Sequence, residues 1–378
     1  MKVLVTVPSI QNESAGTSYT VPSLCGALSK NGVDVELHVL DKVPMQKRNY
    51  LVKNYVRSRF PVVALGRCPE MLKAFNQELK ECDIVHNNGI WMKPNVYPAI
   101  AKRKTKCKLV FCPRGGLSET ALKRSKIKKF LMGYFGGQYK ALRETDMFHA
   151  ASMKELEEIR ALGYEQPIAL VPNGIDVPKI EHKPFEEKKR KIAFFGRIHT
   201  TKAVDILVEA WGNVSAKFPN WSLEIAGPDC GAVPQLKKII QERNIPRVSF
   251  VGELHGADKY KFLASADLYV LPSLTENFGI TIAEALACGT SVIASRGCPW
   301  ERLEMKGCGW WIDIGVDALT AQLEQSLAKS PDVLKIMGEK GINWMKEEYM
   351  WDGVGKKMIS AYKWLCEGGE KPDCVVVN

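Results

Sequence analysis

The sequence lacks long apolar runs, closely paired cysteines and the glycine signatures that cradle phosphates. No stretch approaches the roughly 18 unbroken apolar residues that a membrane-spanning helix needs. The opening run, MKVLVTVP, is followed by polar QNES with no small-residue cleavage site, so it reads as a first strand and not as a secretory leader. Cysteine itself is present eleven times. The number is odd and no C-x-x-C pair occurs, which argues against a zinc ribbon or a disulfide framework. Cys25, Cys82, Cys112 and Cys288 are expected as small core residues in a reducing cytoplasm. No G-x-G-x-x-G follows the first strand, and no G-x-x-x-x-G-K-[ST] occurs anywhere. Both absences speak against dinucleotide and Walker-type phosphate sites. No D-x-D motif is placed to hold a metal, and no short-period repeat occurs.

What is present suits a two-core soluble protein. The chain has 378 residues, 46% apolar and 25% charged, which excludes a largely disordered chain and is too long for one ordinary core. The net charge of +11 is uneven. Residues 1–172 carry 27 Lys and Arg against 15 Asp and Glu, a net of +12, whereas residues 173–378 carry 26 against 27. The first half is therefore expected to meet something anionic: nucleic acid, a membrane surface or a phosphorylated substrate.

Strand-like VLVTVP leads through a helical stretch from Gly16 to Gly32 into VDVELHVL. DIVHN, KLVFC and MFHAAS follow, with helical segments between them, and alternating βα units predict a parallel sheet covered on both faces. The pattern restarts after PIALVPNGIDVP and the charged EHKPFEEKKRK, with IAFFGR, WSLEIAG, VSFVG, LYVLPS, TSVIAS and GWWID. The expected organisation is an N-terminal α/β domain over 1–172, a linker over 173–190 and a C-terminal α/β domain over 191–350. A last helix and an unstructured tail fill 351–378.

In doubly wound folds ligands bind at the carboxyl ends of the strands. Two loops stand out there. In FFGRIHTTKAVD, Arg197 and Lys202 flank a helix start, an arrangement that suits a diphosphate and equally a solvated surface pair. In LPSLTENFGITIAEALACG, a helix is expected to begin near Asn277, with amides near Phe278 and Gly279 open to anionic oxygens. Glu276 and Glu284 are eight residues apart, about 12 Å if both lie on one helix. Capping by Asn277 and the helix dipole account for Glu276 as readily as a ligand does. They do not account for Glu284 amid apolar neighbours.

The segment PSLTENFGITIAEALACGTSVIAS resembles the signature of glycosyltransferase family 4, retaining enzymes of the two-domain GT-B fold. FFGRIHTTKAVD is similar to that family's G-R-x4-K-G loop, with Ala203 where the family usually has Gly. VPNGID resembles its inter-domain segment, and DIVHNNGIW, CPRGGL and GCPWERLEMKGCGWWID resemble a bacterial surface-polysaccharide branch. The resemblance implies two Rossmann-like parallel-sheet domains facing an inter-domain cleft, with the acceptor held by the N-terminal domain and the nucleotide-sugar donor by the C-terminal one. It implies no cofactor and no metal, with a UDP- or GDP-linked sugar as donor substrate. It implies that Arg197 and Lys202 hold the diphosphate, that Glu276 with Asn277, Phe278 and Gly279 meets the transferred sugar, and that Glu284 holds the ribose. Gly16, with Ala15, would approach the diphosphate from the N-terminal domain, and the last helix would return to that domain.

Many relatives have H-x-H where this chain has His86 and Asn88. Asn88 can bond a sugar hydroxyl but cannot act as a base, while His86 reads either as a satisfied semi-buried histidine or as a sugar contact. Arg114, before Gly115 and Gly116, suits an acceptor or donor phosphate and equally a structural ion pair. The stretch from Lys123 to Arg143 holds seven cations and no acid, among them Lys123, Arg124, Lys126, Lys128 and Lys129. They are interleaved with Ile127, Phe130, Leu131, Met132, Tyr134 and Phe135. This suits docking on an anionic membrane, or a solvated face over a buried apolar one. Nothing resembles a nucleic-acid module. The expected protein is a peripheral enzyme of the inner membrane face that glycosylates a lipid-linked saccharide. A sugar-nucleotide epimerase of the same fold and a non-catalytic membrane scaffold are the alternatives.

Overall fold

The structure is a computed structural model that describes the chain except residues 12–15, 41–42, 44–46, 59–64, 179–189 and 378. Strands β1 (Lys2–Val7), β2 (Asp34–Leu40), β3 (Leu51–Tyr55), β4 (Ile84–Asn88), β5 (Lys108–Cys112), β6 (Met147–Ala150) and β7 (Ile168–Leu170) come first. Strands β8 (Arg190–Phe195), β9 (Trp221–Ala226), β10 (Val248–Gly252), β11 (Leu268–Leu271), β12 (Ser291–Ser295) and β13 (Gly309–Ile312) follow, and β14 (Val375–Val376) comes last. The chain divides into two compact units, one of Met1–Gly174 with Trp351–Asn378, the other of Ile175–Met350. Most of the expected linker, 179–189, lies outside the described residues.

Unit one has the strand order β14-β7-β6-β5-β4-β1-β2-β3. Its strands run parallel except β14, which pairs antiparallel to β7 with Val375 opposite Ala169. The tail was expected to be unstructured, and this is a correction. Its valines have high strand propensity, and the short edge strand β7 offers unpaired backbone groups to receive them. The helix Trp351–Glu367 belongs to the same unit and lies on the helix Gly16–Lys30. A Cβ on Gly355 would come within 3.0 Å of Ala27.

Unit two has the order β10-β9-β8-β11-β12-β13, all parallel. Its core follows from pattern. In the helix Val204–Val214, Val204, Leu207, Val208, Trp211 and Val214 are all buried, and their spacing puts them on one face. Both units are thus doubly wound, and in both the strand order reverses between the first strand and the fourth. In unit two these are β8 and β11. They pair only at Ile192 and Ala193, whereas β8 and β9 pair over six positions. The carboxyl ends of β8 and β11 are therefore free of each other, and the two loops singled out in the sequence start from them.

Candidate functional site

In unit two, the loop after β8 carries Arg197 and a short turn of 3-10 helix, Thr200–Lys202. The loop after β11 runs from Pro272 to Gly279. Two backbone contacts hold the second loop in place, one against the first loop and one against the turn after β12. Leu274 N donates to Thr201 O at 2.9 Å, and Glu276 N donates to Gly297 O at 2.9 Å. Gly297 can approach because it has no side chain; a Cβ there would fall 2.2 Å from Ser273 O. The result brings Lys202 Nζ directly onto a carboxylate oxygen of Glu276. Ser273 Oγ donates to that same oxygen at 2.6 Å. Arg197 is exposed, and no ion pair involves it among the described residues. The first loop is therefore not a solvated pair: one cation is built into a carboxylate and the other is presented.

Glu284 is almost wholly buried, and Lys259 Nζ sits 2.6 Å from its carboxylate. Burial pushes the Glu284 carboxyl above its usual range, and the Lys259 charge and hydrogen bond oppose that. Sequence reading missed Lys259, which lies on the separate helix Gly256–Ala264.

The helix itself starts later than expected, at Ile280, and ends at Ala287. Asn277 is not its cap. Gly279 is, at φ 76, a conformation glycine adopts without cost. Glu276 therefore lies on the loop and the spacing of about 12 Å on one helix does not apply. The N–H groups of Phe278 and Gly279 have no hydrogen-bond partner among the described residues. The Phe278 side chain points away, packed against Trp300 with centroids 5.4 Å apart, and Trp300 Nε1 donates to Phe278 O at 2.5 Å. The carbonyl of this turn is thus anchored to Trp300, while its two amides stay unpartnered among the described residues.

Unit one is different. Gly16 opens its helix, and a Cβ there would meet nothing within 4 Å; Ala15 lies outside the described residues. His86 is fully buried on β4, so its assignment as a sugar contact is corrected. The Tyr362 hydroxyl lies 2.6 Å from its Nδ1, and its Nε2 lies 3.2 Å from His149 Nδ1. His149 Nε2 meets Val171 O at 2.8 Å. Burial keeps both rings neutral, and since a carbonyl can only accept, the N–H direction along the chain of rings is then fixed. Burial holds His149 down to about 3, with the Arg114 charge adding to it. Asn88 is also buried, and its Oδ1 accepts from Arg114 Nε and Nη2 at 3.1 and 2.7 Å. The expected sugar contact by Asn88 is corrected for that reason. Arg114 makes no structural ion pair among the described residues; its third contact is Nη1 to Asn173 Oδ1 at 2.7 Å. Gly116 packs directly against Ile90, since a Cβ there would fall 2.1 Å from that side chain.

The family model "Glycosyl transferases group 1" matches residues 177–344, and "Glycosyltransferase Family 4" matches residues 15–179. Together they take in both units and the loops just described. The chain is a family 4 glycosyltransferase. A phosphatidyl-myo-inositol mannosyltransferase of Mycobacterium tuberculosis (strain CDC 1551 / Oshkosh) is 28% identical over 217 residues, 53% of this chain and 55% of that protein. The chain thus spans about half the length of the curated relatives it matches. The fold is similar to HepE of Anabaena, solved with UDP and glucose, at TM-score 0.77, 16% identity and coverage of 96% and 99%. It is also similar to WaaG, a glycosyltransferase involved in lipopolysaccharide biosynthesis, at TM-score 0.71, 16% identity and coverage of 97% and 100%. These likenesses make the two doubly wound units those of a GT-B glycosyltransferase.

Two further features of this family 4 chain lie outside those loop contacts. Ala203 occupies a left-handed conformation, φ 50 and ψ 45, at the start of the helix Val204–Val214. A glycine, usual there in the family, would adopt it without strain. The second feature is the basic segment. In the helix Lys126–Tyr134 only Met132 and Gly133 are buried. Ile127, Phe130, Leu131 and Tyr134, spaced i, i+3, i+4 and i+7, form one apolar stripe that Phe135 extends, and all five are 51–79% exposed. The reading of a solvated face over a buried apolar one is thereby overturned. Lys129 is also corrected as a surface cation: its Nζ turns inward to Ala121 O and lies 5.7 Å from the Trp91 ring centroid. Among the described residues no helix is long and apolar enough to cross a membrane.

Proposed function

We propose that the chain is a retaining transferase that moves a sugar from a UDP- or GDP-linked donor to a hydroxyl of a lipid-linked saccharide, in bacterial LPS, O-antigen or capsule assembly. The observation that carries this is the joined pair of loops at β8 and β11, which carry Arg197, the Lys202–Glu276 pair and the unpartnered amides of Phe278 and Gly279. A diphosphate suits the two cations and the amides, Glu276 suits a sugar hydroxyl, and Glu284 suits the ribose. HepE was solved with UDP and glucose, which agrees with a nucleotide-sugar donor, and WaaG's role in lipopolysaccharide biosynthesis agrees with a saccharide acceptor.

In the chemistry we favour, the acceptor oxygen attacks the anomeric carbon from the face the phosphate leaves. The anomeric C–O bond to phosphate breaks, the new glycosidic C–O bond forms, and the departing phosphate oxygen takes the acceptor proton. This needs no base at Asn88, and the leaving charge rests on Arg197, Lys202 and the helix start without calling on a metal. The test is to incubate the protein with nucleotide sugars and lipid-linked acceptors and to assign the anomeric configuration of the product by NMR. A product of inverted configuration refutes retention. An epimerised sugar formed from donor alone, with no transfer, favours the epimerase alternative.

We further propose that the enzyme is peripheral on the inner face of the cytoplasmic membrane. The exposed stripe of Ile127, Phe130, Leu131 and Tyr134, flanked by Lys123, Arg124, Lys126 and Lys128, supports an anionic lipid surface as its occupant. Each cation near such a surface adds about 1 kcal/mol, and salt screens it over roughly 10 Å at 0.1 M. Changing those four cations to Glu should abolish sedimentation with anionic liposomes at low salt. A wild-type protein that ignores such liposomes would make a soluble acceptor the better account.

A further inference from the structure

Arg114 carries a charge that no described carboxylate answers. Three of its five N–H donors are used, two on Asn88 Oδ1 and one on Asn173 Oδ1. Both acceptors are neutral amides. That leaves one N–H on each terminal nitrogen without a partner among the described residues. Glu155, on the helix Met153–Ala161, accepts from Gly115 N at 2.7 Å and from Ala151 N at 2.9 Å. Asn88 is itself held with its oxygen toward Arg114, since its nitrogen faces Thr6 O and His86 O.

The backbone points the same way. Arg114 and Gly115 are both left-handed, at φ 55 and φ 74. A non-glycine residue in that region is strained and persists only where its surroundings impose it, a pattern that clusters at ligand sites. Arg114 follows β5 and is tied to the last residue of β4, at the strand ends where doubly wound sheets bind ligands. A partly buried guanidinium with no counter-ion is costly on its own, and the positive half of the chain leaves that cost in place.

We infer that Arg114 is an anion-binding residue of unit one that reads a phosphate group on the acceptor, with Asn88 and Asn173 as its positioning residues. This rests on the reading that unit one receives the acceptor. The two remaining N–H groups suit two oxygens of one phosphate. That phosphate can belong to a lipid diphosphate or to a sugar phosphate.

The full chain is saturated with UDP to occupy the donor site, and inorganic pyrophosphate is added. Hydrogen–deuterium exchange is then followed over residues 112–118. Pyrophosphate should slow exchange there, and chloride at equal ionic strength should not. The protection should vanish in Arg114→Gln, weaken in Arg114→Lys and survive in Lys202→Ala; melting curves verify that each variant is folded. No protection in wild type, or protection kept in Arg114→Gln, overturns the inference. A second arm compares transfer to a lipid-diphosphate saccharide, a soluble sugar phosphate and a neutral glycoside. Arg114→Gln should raise KM roughly tenfold or more for whichever phosphate-bearing acceptor is used, and leave the neutral one unchanged. An equal rise for all three also overturns it. Absence of any transfer by wild type defeats the reading of unit one instead, and leaves the exchange result to decide whether Arg114 binds phosphate.

Discussion

The carboxyl ends of the strands carry charge in opposite ways in the two units. In unit two, cations meet acids: Lys202 pairs with Glu276 and Lys259 with Glu284, and Arg197 is presented to solvent. In unit one, Arg114 is held by two amide oxygens, and the neighbouring histidines are neutral and buried. The difference teaches how each unit would take an anion. In unit two an arriving diphosphate would compete with Glu276 for Lys202. In unit one no described carboxylate pairs with Arg114, so an arriving anion would meet a guanidinium held only by amide oxygens.

The largest expected effect breaks the paired side. Arg197→Ala and Lys202→Ala should each lower kcat/KM by an amount equivalent to about 2–4 kcal/mol, the range for removing one charge-stabilising donor. Near-normal turnover in steady-state assays of both variants would remove the diphosphate from these loops.

Next comes the division of labour between the two carboxylates. Glu284→Ala should weaken binding of the bare nucleoside diphosphate by about 1–3 kcal/mol, whereas Glu276→Ala should change it little. Lys259→Ala should follow Glu284→Ala, because it leaves that buried carboxylate unpaired. Calorimetry showing the reverse order would mean that the donor lies the other way round.

The neutral side is sharpened by pH. Burial keeps His86 well below the ordinary range, and His149 is held down to about 3. Unfolded, each ring takes a proton near pH ~6.5. Their contribution is therefore complete above that value and is lost as pH falls from about 6.5 toward 3, at a slope of about 1.4 kcal/mol per pH unit for each ring. In urea melts between about pH 7.5 and 4.5, His149→Gln should lose stability less steeply than wild type. Equal slopes would show that the ring is protonated in the folded chain.

The smallest effect concerns Ala203. Ala203→Gly should stabilise unit two by up to about 1 kcal/mol, since it removes left-handed strain at a modest entropic cost. A lower melting temperature would show that the methyl group packs better than the strain harms.

What the sequence revealed and what it hid have physical reasons. Apolar runs such as IAFF, LYVL and KLVFC become central strands because burial on both faces writes itself as unbroken hydrophobicity. LVKNY, which became β3, is an edge strand of exposed and half-buried residues and gives no such signal. Asn277 is a favoured cap by composition, yet the turn placed Gly279 there, because the cap is chosen by backbone conformation. Arg197, Lys202, Glu276 and Glu284 were legible because their motif is local. Lys259 and His149 were not: they meet Glu284 and His86 across 25 and 63 residues, and a pattern read along the chain does not report which distant residues the sheet order brings together. The exposed stripe of Ile127, Phe130, Leu131 and Tyr134 was visible as a period, but only the structure told which way it faces.

The central claim is that the loops after β8 and β11 hold the diphosphate of a nucleotide sugar. Calorimetric titration of the wild-type chain with UDP, GDP and their sugars, repeated on Arg197→Ala and Lys202→Ala, tests it most directly. The account predicts saturable binding of at least one of these ligands by wild type, weakened roughly thirtyfold or more in each variant. Binding of equal strength in all three proteins, or none to wild type, would contradict it.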